Sequence, residues 1–189
     1  MPGAVFFWKG REKMICRFTL SPMSDRFIDL ILGAIGKVDA GSITQRTDKL
    51  STVYRGSRAA VEDAVKACFL HAYRPDVHMT MECAFTSDGA EAGPGPRNEK
   101  ETETYHFPAV AKLTLYPLGV ADVAAQRARV VDRARGMGLV REEAFDGPIL
   151  AGDVQDIFAC LSAVNEDCRR ELKDYTLEFT LSVNSPTPD

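Results

Sequence analysis

The chain has 189 residues, 45% of them hydrophobic and 26% charged, with a net charge of −4 and a pI of about 5.5. That balance belongs to a globular chain and excludes a disordered one, and the acidic surplus supplies no basic face of the kind nucleic-acid binding needs. No stretch is long and apolar enough to span a bilayer as a helix, so neither nucleic acid nor membrane is an expected partner.

The chain opens with Met1 to Lys13, whose apolar run Ala4 to Trp8 is too short for a signal-peptide core; the expected localisation is cytoplasmic, and Met14 is an alternative translation start. Cys16, Phe18 and Leu20 then alternate with Arg17, Thr19 and Ser21, the period of a half-buried strand. Pro22 ends it, having no N–H for a ladder, and Ser24 or Asp25 can cap a following helix whose stripe is Phe27, Ile28, Ile31, Leu32 and Ile35, closed at Gly36. Two short strands are expected near 42–46 and 51–56. Ser57 caps a second helix with Val61, Ala64, Val65, Cys68 and Ala72 inward. A strand over 77–86 has Val77, Met79, Met81, Cys83 and Phe85 on one face and His78, Thr80, Glu82 and Ala84 on the other.

Residues 87–106, rich in Gly, Pro, Glu and Thr, read as a mobile linker. Beyond it the same order recurs. A strand over 111–116 precedes a helix near 121–135 that closes at Gly136 and Gly138. Strands near 139–145 and 149–152 lead to a helix capped by Asp153, with Val154, Ile157, Phe158, Leu161 and Val164 inward. The closing strand has Tyr175, Leu177, Phe179, Leu181 and Val183 on one face and Thr176, Glu178, Thr180 and Ser182 on the other. The five cysteines, Cys16, Cys68, Cys83, Cys160 and Cys168, form no CxxC pair, fall in the apolar stripes, and read as reduced core residues.

The recurrence is residue by residue. Arg17-Phe18-Thr19-Leu20-Ser21-Pro22-Met23 aligns with Lys112-Leu113-Thr114-Leu115-Tyr116-Pro117-Leu118 at an offset of 95. At 96, Gly56-Ser57 meets Gly152-Asp153, and Thr80-Met81-Glu82 meets Thr176-Leu177-Glu178. The order βαββαβ, twice, predicts an α+β chain of tandem ferredoxin-like repeats over 15–86 and 107–186, each a four-stranded antiparallel sheet with its helices on one face. The other face, with Thr19, Thr80, Glu82, Thr114, Thr176 and Glu178, is polar, a natural place for a small ligand.

No GxGxxG, phosphate-loop, HExxH or GxSxG motif occurs, and His71, His78 and His106 have no metal-ligand spacing, so no metal, cofactor or catalytic set is expected. The segment whose composition stands out is Thr47-Asp48-Lys49-Leu50-Ser51-Thr52-Val53-Tyr54-Arg55-Gly56-Ser57, across the turn between the two middle strands. Its Asp and Ser suit ordinary turn chemistry, in which their side chains bind the local backbone. They equally suit a polar rim that reads the edge of a small heterocycle, with Asp48 favouring a cation.

At this segment the sequence resembles the YkoF family of thiamin- and hydroxymethylpyrimidine-binding proteins. The stretches that carry the resemblance are Arg17-Phe18-Thr19-Leu20-Ser21-Pro22-Met23, Lys37-Val38-Asp39, the T-D-x-x-S-T-V-x-R-G-S run from Thr47 to Ser57, and Asn184-Ser185-Pro186, spanning most of the chain. The resemblance implies tandem ferredoxin-like repeats, a homodimer, and binding without catalysis of thiamin or its hydroxymethylpyrimidine moiety, in vitamin B1 salvage, transport or sensing. By motif match it nominates Thr47, Asp48, Ser51 and Thr52 for the first pocket; Thr19 and Thr80 join them from strand geometry alone. Two departures stand out. Ser21 replaces an aromatic of the family pattern that the second copy keeps as Tyr116. The second copy also has Glu143, Ala144, Gly147 and Pro148 where the first has Thr47, Asp48, Ser51 and Thr52, so a second site of equal quality is not expected. A regulatory domain sensing another metabolite, and an enzyme acting on thiamin derivatives, stay open as alternatives.

Overall fold

A computed structural model describes residues 13–41, 43–88 and 95–187. The run Ala4 to Trp8, position 42 of the second expected strand, and 89–94 of the linker lie outside the described residues. In chain order the elements are β1 (Lys13–Pro22), α1 (Phe27–Ile35), β2 (Thr44–Thr47), β3 (Thr52–Gly56), α2 (Arg58–Ala72), β4 (Met79–Asp88), α3 (Glu99–Thr102), β5 (Pro108–Leu118), α4 (Val123–Gly136), β6 (Val140–Ala144), β7 (Gly147–Asp153), α5 (Val154–Glu171) and β8 (Asp174–Val183).

The expectation of two separate four-stranded sheets is corrected: one eight-stranded antiparallel sheet runs in the order β2-β3-β1-β4-β8-β5-β7-β6. The two halves join because β4 and β8, each of which would otherwise be an unpaired edge, pair with each other from Met79↔Val183 to Thr86↔Thr176. The pairing is symmetric about Cys83↔Phe179, two residues 96 apart. Arg17 faces Ala84 as Lys112 faces Thr180, and Thr19 faces Glu82 as Thr114 faces Glu178.

One face of this sheet is covered. Cys16, Phe18, Met81, Phe85, Leu113, Leu115, Leu177 and Phe179 are buried there beneath the helices, as their alternation demands. Phe69 of α2, Phe158 of α5 and Phe179 of β8 form a ring chain across the seam, with centroids 6.1 and 5.6 Å apart. The caps fall where short polar residues stand: Ala60 N–H donates to Ser57 Oγ, Ala125 N–H to Asp122 Oδ1 and Gln155 N–H to Asp153 Oδ1.

Two local expectations fail. Ser24 does not cap α1; it accepts from Arg26 N–H in the preceding turn, and the helix begins at Phe27 with no side-chain cap. The α1 stripe is also mostly unburied: Phe27 is 48%, Ile28 56% and Leu32 63% exposed, because only Ala34 seats fully in the core. Part of the stretch expected as a linker packs on the helices. Within 95–106, Asn98 and Thr102 are buried, since Asp63 Oδ2 accepts from Arg97 N–H (2.9 Å), Asn98 N–H (3.0 Å) and Asn98 Nδ2 (2.7 Å). Gln155 Nε2 donates to the carbonyls of Thr102 and Tyr105. These bonds wrap α3 against α2 and α5, which is why α2 is buried almost all round and not along a single stripe.

Candidate ligand site on the open face of the sheet

The uncovered face presents the alternate residues of the central strands. Two cross-strand rows meet at its centre: Arg17, Ala84, Glu178 and Thr114 in one, Thr19, Glu82, Thr180 and Lys112 in the next. On the first-half side, the hairpin between β2 and β3 brings Leu50 and Ser51 up to these rows. Together they enclose a cavity of about 260 Å³ lined by Arg17, Phe18, Thr19, Leu50, Ser51, Glu82, Cys83, Ala84, Glu178 and Thr180. Its chemistry is one guanidinium, two carboxylates and three hydroxyls around a small void. Among the described residues, the side chains of Arg17, Thr19 and Glu82 make no hydrogen bond or ion pair within the chain. Polar groups converging on a void without internal partners are the signature of a site that supplies hydrogen bonds to something else.

Of the residues nominated from sequence, Thr19 and Ser51 line this cavity. Thr80 lies on the same face, two residues along β4 from Glu82 and opposite Ser21 and Ser182, outside the lining. Thr47 and Thr52 are cross-strand partners on the face shared with Phe18 and Tyr54; their hydroxyls bond each other at 3.1 Å and Thr52 is buried. Asp48 is exposed and accepts from Leu50 N–H (2.8 Å) and Ser51 N–H (3.1 Å), and these two bonds hold its carboxyl below the usual range. Asp48 therefore shapes the turn that presents Ser51, and the structure does not bring it into the cavity. Sequence reasoning missed Arg17, Glu82, Glu178 and Thr180 as site residues. Strand parity already placed Glu82 and Glu178 on the polar face, but only the β4–β8 pairing carries Glu178 and Thr180 into a pocket of the first half.

The equivalent place in the second half is built differently. Lys112, the counterpart of Arg17, is ion-paired at 2.8 Å with Asp146 at the tip of the β6–β7 hairpin. Thr114, the counterpart of Thr19, is only 4% exposed. Burial, with the charge of Glu178 nearby, raises the Tyr116 phenol, and the Arg127 guanidinium sits 5.5 Å from the centre of the Tyr116 ring. A Cβ added to Gly147, the counterpart of Ser51, would stand 1.9 Å from the Leu113 carbonyl oxygen, so the hairpin backbone lies hard against β5.

Other features compete less well. A larger cavity, about 440 Å³, lies between α4 and α5 over Leu115, Val130, Val164, Cys168 and Leu172. Its charged rim is already paired within itself, Arg129 with Glu171 and both Arg133 and Arg170 with Asp167. At the α2–α5 seam Glu62 is buried and accepts from Arg58 Nη1 (2.8 Å), Ser162 Oγ (2.8 Å) and Asn165 Nδ2 (2.9 Å); burial pushes its carboxyl up to about 7, against the pull of those donors. The five cysteines are all buried and unpaired. Burial raises Cys68 and Cys168 to about 12 and Cys160 to about 11, which removes them as nucleophiles. Among the described residues no group of three or more His, Cys, Asp or Glu is placed to hold a metal, and no helix is long and apolar enough to cross a membrane.

The family model described as "YKOF-related Family" matches the chain twice, over residues 13–90 and 108–188. A Bacillus subtilis (strain 168) protein named "Putative HMP/thiamine-binding protein YkoF" is 32% identical over 180 residues, covering 90% of each chain.

Proposed function

The chain belongs to the YKOF-related family, and from that premise we propose that it binds thiamin or its hydroxymethylpyrimidine moiety, without transforming it, in the cavity beside Thr19 and Ser51. The observation that carries this reading is the set of unpartnered polar groups around a void of about 260 Å³, small enough to suit one or two small rings. An aminopyrimidine offers amine donors and ring-nitrogen acceptors, which Glu82, Glu178, Thr19, Ser51 and Arg17 complement. The thiazolium of thiamin is a cation, and two carboxylates against one guanidinium favour it. In this reading each half is a ferredoxin-like unit, and the protein serves vitamin B1 salvage, transport or sensing in the cytoplasm. Leu50, 84% exposed, and the exposed Phe145 at the tips of the two hairpins favour a homodimer.

Titration calorimetry with thiamin and with hydroxymethylpyrimidine tests the reading, together with the melting temperature, which a ligand of the native state raises by mass action. Neither heat nor a shift at millimolar ligand would sink it. Incubation with thiamin followed by chromatography should return the vitamin unchanged.

A further inference from the structure

We propose that the chain carries one working pocket, in its first half, and that the equivalent position in the second half is filled by the chain's own side chains. The inference rests on the ligand-binding reading above and specifies its stoichiometry. It stands on a like-for-like comparison within one sheet. The two positions are related through the Cys83↔Phe179 pair, so their strand scaffolds present the same slots.

In the first half each slot is open. Arg17, Thr19 and Glu82 lack partners within the described chain, and Ser51 offers its hydroxyl from the hairpin. In the second half the counterparts of Arg17, Thr19 and Ser51 are closed off from within. The ammonium of Lys112 takes Asp146, which stands at the place of Leu50. Where the first half has Ser21, the second has the Tyr116 ring, with the Arg127 guanidinium 5.5 Å from its centre. Thr114 is covered, and at Gly147 the hairpin backbone approaches the Leu113 carbonyl so closely that no side chain fits where Ser51 extends one. Pro148, the counterpart of Thr52, has neither a hydroxyl nor an N–H to give. A ligand entering there would have to break Lys112–Asp146 and would find no hydroxyl from the hairpin in exchange, whereas the first pocket loses only water.

Glu178 gives the asymmetry a purpose. It lines the first pocket although it belongs to β8 of the second half. The second half thus serves the first pocket as a wall.

Calorimetric titration of the whole chain with thiamin tests this. One equivalent per chain is expected, with all heat lost in Ser51→Trp, which fills the first pocket, and in Glu82→Lys, which reverses a charge on its floor. Two equivalents per chain in the native sequence, or one equivalent surviving in a folded Ser51→Trp or Glu82→Lys variant, would overturn the inference while leaving the ligand reading intact. No heat with the native sequence would overturn both. Native stoichiometry decides the matter even if a variant fails to fold.

Discussion

In the first half Leu50 and Ser51, in the hairpin between β2 and β3, border a void beside Arg17 and Thr19. In the second, the hairpin between β6 and β7 lies down on β5, with Gly147 against the Leu113 carbonyl and Asp146 bonded to Lys112. The strands beneath are paired alike. The halves differ in the residues of the hairpin and of the strand beside it, Leu50 and Ser51 against Asp146 and Gly147, and Ser21 against Tyr116. Duplicating a fold doubles the platform, and whether the site is doubled is settled by residues the fold tolerates in either form.

The sharpest way to break the comparison is to exchange the residues at the close approach. Gly147→Ser is expected to destabilise by about 2–3 kcal/mol in urea denaturation, since the new Cβ must displace backbone, while Ser51→Gly costs less than about 1 kcal/mol. Equal losses would show that the two hairpins sit alike. The next effect concerns the seam that joins the halves. Folding raises the Glu62 carboxyl to about 7 from an ordinary 4.5, chiefly by burial, so the folded state takes up a proton. Its contribution is full below about pH 4.5 and is lost as pH rises through 7; the loss is on the order of 3 kcal/mol. Glu62→Gln should flatten stability over that window, and an unchanged pH profile by thermal melting would mean that Arg58, Ser162 and Asn165 already hold the group charged.

Ligand affinity sharpens the comparison further. Glu82→Gln should weaken thiamin binding about tenfold by removing a charge-assisted hydrogen bond, and Thr19→Val by a few-fold, whereas Thr114→Val in the second half should leave affinity unchanged. A matching loss at Thr114 would argue for a ligand on that side. The smallest effect is expected at the half-exposed pair: Lys112→Ala should move the melting temperature by less than about 2 °C and keep the stoichiometry at one. A second equivalent in that variant would mean that the ion pair alone shuts the second position.

Much of this was legible before any coordinates. Alternation over Cys16, Phe18 and Leu20, and again over Tyr175 to Val183, assigned faces correctly because a half-buried strand leaves a period-two imprint. Ser57 and Asp153 announced their helices because a cap acts on backbone a few residues away. Thr47 and Thr52 stand in a hydroxyl-rich run that borders the candidate cavity, and their parity turns them to the covered side, where they bond each other. In the stretch expected as a linker, composition reports a tendency toward disorder and does not foresee that Asp63 will gather three donors from Arg97 and Asn98.

By itself, then, the sequence determined the element order, the internal duplication and the buried stripes, and it singled out the turn that borders the candidate cavity, all of which depend on neighbours along the chain. Only the tertiary structure decided that the two sheets are one, that Glu178 and Thr180 of β8 close a pocket of the first half, and that Asp146 reaches Lys112 in the second. Those facts depend on pairing between residues about a hundred positions apart in one case, and on how closely one backbone lies on another in the other. Neither leaves a local period or motif for a reader of the sequence to find.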